Sequence, residues 1–445
     1  MLGTIIKREI QEYLRSSKFL IGFLITVILI TISTIININD YKQRNQDYLA
    51  AQKEMTGDRF YIQVFRQPEV LSTLAQGKDR KLGNRLMMTY LNLPYRTSGY
   101  MGDFASQHHR FMAGFAAIDF AFVVRVVLSL MVIFLAYNSI SEEKFQGTLK
   151  LMLSNRLPRD QLLLGKFLGG LIVIIASLLI ATLISVIIML IHSAILLGSS
   201  EWIRVLSMFG ISILYLICFY TLSIMISTLV NRPAIAMMIL LQIWVFLIII
   251  YPNLGVIIAE HGHKLPNDKQ LWERKVTAFQ PYAEEHKKIE DAFHQAIVSG
   301  GRPSEEISRR NFELSAKQAE LDHQVDMEFS NDLTRQMKLA QYISILSPAV
   351  LYDQAVQRLA RTDMTSFERF IQAAERHWQK LLEKQKLRYE DIKAWREAKL
   401  PEFSYPAEMS TTSLIATFPQ IVILFLFSVI FFVLAYVSFL RKDVR

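Results

Sequence analysis

Cysteine is almost missing from this chain. Cys218 stands alone, so no intramolecular disulfide can form and dithiol redox chemistry is excluded. No Gly-x-x-x-x-Gly-Lys-Ser/Thr run occurs, so the chain does not bind ATP through a P-loop. No catalytic triad or carboxylate pair stands out, and there is no Gly-rich repeat or low-complexity segment. His261 and His263 form an His-x-His pair, and His108 and His109 are adjacent, yet no carboxylate or cysteine lies at ligand spacing. A metal centre is therefore not expected, and neither is an enzyme.

What the chain does contain is apolar sequence in long blocks. Of its 445 residues, 52% are hydrophobic, and the blocks reach the roughly 20 residues that cross a bilayer. Six spans are read: residues 19–38, 119–138, 167–197, 203–230, 234–251 and 412–440. Residues 1–18 precede the first. There Ile5, Ile6, Ile10, Tyr13 and Leu14 recur near helical spacing among Lys7, Arg8, Arg15 and Lys18, which predicts an amphipathic helix at the membrane interface. A cleaved signal peptide fits less well, because the apolar run is too long and no small-residue cleavage site follows it.

The net charge of +9 reads as membrane topology rather than as affinity for nucleic acid. With the N-terminus in the cytoplasm, the inner segments hold Lys144, Lys150, Arg156, Arg159, Lys166, Arg232 and Arg441, besides the basic residues of the first helix. The short outer turn holds only Arg204, with Glu201. Both long connections, 39–118 and 252–411, then lie outside the cytoplasm, and residues 441–445 form a cytoplasmic tail.

The second connection reads as an elongated helical hairpin or bundle. Asn267 caps a helix that Gly300 and Gly301 end. Ser304 opens another, with Glu305 and Glu306 in its first turn and Leu314, Leu321, Val325, Leu333, Met337 and Ala340 as its stripe. Ser347 and Pro348 start a third. Thr365 with Glu368 forms a capping box for a fourth, to about Lys399. The first connection is mixed: helical to about Gln67, irregular over 94–102. Pro252 and Asn253 are read as breaking the fifth span into a short re-entrant segment, against the plainer reading of a helix end. The aromatic residues of the sixth span, Phe425, Phe427, Phe431 and Phe432, read as lipid-facing or bundle packing.

Residues 139–166 form a charged loop between two spans. EEKFQGTLKLMLSNRLPRDQLLLGKFLGG resembles the signature of ABC-2-type permeases, with Glu142, Glu143, Gly147, Thr148, Leu149, Leu151, Leu153, Ser154, Pro158, Arg159, Gly165 and Lys166 at the matching positions. LSPAVLYDQAVQRLARTD (346–363) and LPEFSY (400–405) resemble a sub-branch with an additional extracytoplasmic domain. The resemblance implies an all-α membrane fold of six spans in the cell inner membrane, both termini cytoplasmic. It implies a permease dimer, homo- or heteromeric, bound to two ATP-binding subunits that hold ATP and Mg, with no cofactor in this chain. It implies no particular substrate.

On that reading Glu142, Glu143, Gln146, Gly147, Thr148, Leu149, Leu151, Leu153, Ser154 and Arg159 form the ATPase-coupling surface, with Lys7, Arg8 and Arg15 on the interface helix. For Glu142 and Glu143 the alternative is a plain favourable interaction with a helix dipole, and for Gly147 an ordinary loop glycine. Arg125, inside the second span, has two readings: a residue of a substrate path, or a side chain that snorkels or pairs with Asp119. Two other functions are consistent with the sequence: a mechanical transmitter that acts on an extracytoplasmic partner without moving a solute, and a membrane-anchored sensor.

Overall fold

The computed structural model describes residues 2–54, 62–79, 84–88, 118–149, 158–193, 195–390, 402–405 and 408–441. Leu151, Leu153 and Ser154 of the coupling signature, the His108–His109 pair, the stretch 94–102 and the tail beyond Arg441 lie outside them.

Among the described residues the fold is all-α with one small sheet. Helices α1 (Leu2–Arg15) and α2 (Ser17–Glu54) open the chain. Next come strands β1 (Ile62–Phe65) and β2 (Arg85–Met88). The second span is composite: α3 (Phe120–Phe122), a π-helical stretch (Val123–Leu128) and α4 (Ser129–Ala136), followed by the short α5 (Ser141–Phe145). Helices α6 (Arg159–Ile191) and α7 (Ser199–Leu229) are long and regular. The fifth span runs through α8 (Pro233–Val245), a second π stretch (Phe246–Ile250) and α9 (Tyr251–Gly262). Then follow α10 (Asp268–Val298), α11 (Glu305–Ile343), α12 (Pro348–Ala360), α13 (Met364–Glu390) and α14 (Ser410–Arg441).

Among the described residues, six helices are long and apolar enough to cross a membrane: Ser17–Ala50, Phe120–Phe145, Arg159–Ile191, Ser199–Leu229, Pro233–Gly262 and Ser410–Arg441. Helix α7 is the hub. It packs along α14 and also touches α4, α6, α8 and α12. Its Tyr215, Leu216, Phe219 and Tyr220 are fully buried, while α2, α8 and α14 turn apolar faces outward, as lipid-facing helices do.

Several expectations change. The fifth span does not break into a re-entrant segment at Pro252; one helix continues to Gly262. Proline lacks the N–H that an α-turn needs, and the π stretch just before it loosens the backbone ladder there. Among the described residues, the first long connection is helical to Glu54, and Ile62–Phe65, expected within that helix, is a strand paired antiparallel to Arg85–Met88. Helix α13 starts at Met364, which places Thr365 inside its first turn rather than at the cap. Helix α6 starts at Arg159, two turns before the expected apolar boundary.

Caps elsewhere follow the sequence. Asn267 and Gln270 form a reciprocal capping box, Ser304 accepts from the Ile307 amide, and Ser347 accepts from the Val350 amide ahead of Pro348. Gly300 takes a φ of +75° and lets α10 fold back against α11. At about 1.5 Å per residue, the 39-residue α11 is about 58 Å long.

The two long connections form one body. Val64 and Leu86 of the strands pack on Phe367, Phe370, Ile371 and Trp378 of α13, with Phe403 and Tyr405 closing the cluster. The Lys78 amide donates to the Thr362 carbonyl, and the Thr362 hydroxyl donates to the Ala75 carbonyl (both 2.9 Å).

Candidate functional site: a loop, a helix and a span joined by one buried lysine

At the end of the bundle that carries residues 137–149, Lys166 of α6 lies almost wholly inside the protein. Its Nζ donates to Glu9 Oε1 of α1 at 2.7 Å and sits 2.8 Å from Glu143 Oε1 of α5. The three side chains are 7%, 9% and 15% exposed, so each charge depends on the others for its compensation. Tyr220 of α7 adds a fourth element, donating to the Lys166 carbonyl at 3.0 Å.

Small residues make the approach of α1 possible. A Cβ on Gly165 would lie 2.6 Å from Ile5 Cγ2, and one on Gly169 would lie 2.7 Å from the Cβ of Glu9. These two glycines, four residues apart, line up on one face of α6 and let the backbones close in. Gly170 faces the other way, where a Cβ would meet the Tyr220 hydroxyl at 2.0 Å. The spacing Gly165-x-x-x-Gly169 was the sequence signal for this contact, and charge counting alone passes over it.

The turn before α5 is bolted to the end of α7. Ser227 Oγ accepts from the amides of Ile140 and Ser141, both at 3.0 Å, and Lys144 donates to the Thr228 carbonyl. Leu149 is buried in the core. Among the described residues of the loop, a short edge is open: Phe145 is 66% exposed, with Gln146 and Gly147 beside it. Gly147 has φ +75° with open space around it, so backbone conformation rather than crowding requires glycine there.

The expected surface residues therefore separate. Glu143 turns inward to Lys166. Glu142 is half-buried and accepts from Asn138 and Gln146, both at 2.9 Å. The Thr148 hydroxyl donates to the Glu143 carbonyl at 3.3 Å. Arg159 donates to the Leu440 carbonyl at 3.0 Å and so caps the end of α14. Lys7, Arg8 and Arg15 are exposed on the outer face of α1, opposite the buried Glu9 and Tyr13.

The sequence matches the family described as ABC-2 family transporter protein over residues 3–444. The chain belongs to the ABC-2 transporter family. A relative in Pseudomonas aeruginosa, named as a probable ABC transporter permease protein NosY, is 33% identical over 147 residues. That alignment takes in 32% of this chain and 52% of the relative, so the chain spans about half the length of the curated relative it matches. This ABC-2 chain is a multi-pass membrane protein of permease type.

The opposite end of this ABC-2 bundle holds the remaining predicted residues. Arg125, within the π stretch, pairs with Asp353 of α12 and not with Asp119. The extra residue of a π turn rotates the side chain toward α12. Asp119 instead caps α3 through the Phe122 amide at 2.7 Å and accepts the Gln76 amide at 2.8 Å. Burial raises the Asp353 carboxyl to about 6, against the pull of Arg125. Beyond lies an ionic cluster that the sequence did not reveal. Glu408, 5% exposed, meets Arg358 at 2.8 Å and also meets Arg361 and Arg369. Glu69 lies between Arg361 and Arg204 at 3.8 and 3.7 Å, and burial raises its carboxyl. Among the described residues, no group of three or more metal-ligating side chains occurs.

Proposed function

We propose that this chain is the membrane subunit of an ABC-2 transporter, driven by separate nucleotide-binding subunits. The observation that carries the reading is the buried Glu9–Lys166–Glu143 triad. It makes the interface helix, the loop helix and the third span one unit, and leaves the Phe145–Gly147 edge free to receive a push. A force on that edge tilts α6 and, through Tyr220, the hub α7. The chain then supplies two states of a bundle rather than chemistry, and ATP with Mg belongs to the partner. The distribution of basic residues supports a cytoplasmic position for this end, with both long connections on the other side of the inner membrane. A second permease protomer completes the assembly.

The test is purification of the full chain from its native membrane, with identification of bound subunits. A co-purifying nucleotide-binding subunit whose ATP hydrolysis falls on Phe145→Ser supports the reading. Absence of any such subunit at native expression overturns it and leaves an anchored sensor.

The Glu408 cluster favours a second output. It locks α12 and α13 to the segment that enters the sixth span, and the strands pack on α13, so tilting of α14 moves the outer body with it. On that account the stroke is delivered to an extracytoplasmic partner and no solute crosses.

A further inference from the structure

A cavity of about 650 Å3 lies between α9, the last turns of α11, α12 and the start of α14. It is within the range of small-molecule sites, about 300–1,000 Å3. Its level in the membrane follows from helix lengths. Tyr251 donates to the Ile343 carbonyl at 2.6 Å, which sets the base of α11 beside the start of α9. About 20 residues at about 1.5 Å each cross the hydrocarbon core. Counted from Arg232 and Arg441, that distance ends near Tyr251 and Gln420. Tyr342, next to the anchoring carbonyl, is 70% exposed, as interfacial aromatic residues are. The cavity therefore sits at the level of the lipid head groups.

Its polar lining includes five carboxamides, Gln336, Gln341, Gln354, Gln357 and Gln420, with the hydroxyls of Ser344 and Thr365. Gln336 donates to the His263 carbonyl at 2.8 Å. Among the described residues, the side-chain amides of Gln341, Gln354 and Gln357 have no protein partner. The charges on the wall are already answered. Asp353 holds Arg125, Arg358 holds Asp363 and Glu408, and Lys78 has a partner of its own. The apolar lining, including Pro252, Val256, Met337 and Ala416, leads outward. Val256 is 57% exposed, and the neighbouring Ile257, Ile415 and Phe418 are exposed as well, so an alkyl chain could leave along this flank.

We propose that this cavity binds the uncharged, hydroxyl-rich head group of a membrane amphiphile. A carboxamide donates and accepts at once, which suits neighbouring hydroxyl groups. A phosphate gains little where the cations are already paired, and it would meet the Asp353 carboxylate. The site is independent of any ATPase partner.

The test uses the purified full chain, delipidated and given equal amounts of monogalactosyl diacylglycerol and phosphatidylglycerol with the same acyl chains. Retained lipid is read by native mass spectrometry. Preferential retention of the galactolipid is expected, falling about tenfold in Gln354→Leu/Gln357→Leu, the loss of two neutral hydrogen bonds. Ala416→Trp, a change at an exposed position at the mouth, should lower retention too and guards against a misfolded double variant. Methyl galactoside is the soluble arm. If it displaces the galactolipid, the head group alone is read; if it does not while the galactolipid stays bound, the ligand is the membrane amphiphile. Equal retention of the two lipids, or unchanged galactolipid in a folded Ala416→Trp protein, overturns the proposal.

Discussion

Glu143 reaches Lys166 across 2.8 Å of protein interior, from the loop helix to the third span. A residue whose sequence context suggests a surface contact is thus an internal strut. With Glu9 on the other side of the same ammonium, it makes the loop end of the bundle a single mechanical part.

Removing the lysine leaves two buried carboxylates facing each other. Lys166→Met should destabilise the protein by about 3–5 kcal/mol, the usual cost of breaking a buried pair from one side. Thermal unfolding in detergent measures this. Glu142→Lys, at a half-buried position with only neutral partners, should cost far less than Glu143→Lys. Equal effects of the two would contradict the strut.

Docking of α1 depends on Gly165 and Gly169. Gly169→Val should force α1 off α6, at about 1–3 kcal/mol of overpacking. Amide exchange in α1 should become faster, while membrane insertion stays normal. Unchanged exchange would show that α1 tolerates a bulkier neighbour.

Gly147 needs its left-handed conformation but has free space around it. Gly147→Ala should therefore cost only about 1–2 kcal/mol, all of it backbone strain. On the proposed reading, coupling to ATP hydrolysis should suffer more than stability does, because the strain falls on the exposed edge. Comparing stimulated hydrolysis with the melting temperature separates the two.

The Arg125–Asp353 pair carries a pH signature. Burial raises the Asp353 carboxyl to about 6, above its unfolded value of 3.8, so the folded protein holds this proton more tightly than the unfolded chain. Its contribution to stability is then fully present below about pH 4 and is lost as the pH rises through 6. The stability of the wild type relative to Asp353→Asn should increase as the pH falls from 7 to 4. Melting curves across that range decide it; a flat difference would mean an unshifted carboxyl.

Glu408 receives three arginines at the entry to the sixth span. Glu408→Gln should loosen residues 402–405, 408 and 409 and the first turns of α14, seen as faster amide exchange there, while exchange in α7 is unchanged. Slow exchange throughout would mean that the arginines do not hold the junction.

The spans, the amphipathic first helix and the hairpin caps were legible because they are local. Apolar runs of bilayer length, Asn267 before a helical stripe, Pro348 after Ser347 and Gly300 at a reversal each act within a few residues of themselves. The strands were not legible, because their stability comes from Phe370 and Trp378, about 300 residues away in the chain. The fifth span misled for a related reason: a proline signals a break, and only the π stretch beside it restores continuity.

By itself, the sequence determined that this chain crosses a membrane six times and carries a loop of ABC-2 type, since hydropathy and helix signals are properties of short segments. Tertiary structure alone decided that Glu143 points inward, that Arg125 meets Asp353 rather than Asp119, and that the two long connections share one core. Those outcomes depend on which helix faces are brought together, and a buried charge takes the nearest counter-charge in space, however far away that residue is in sequence.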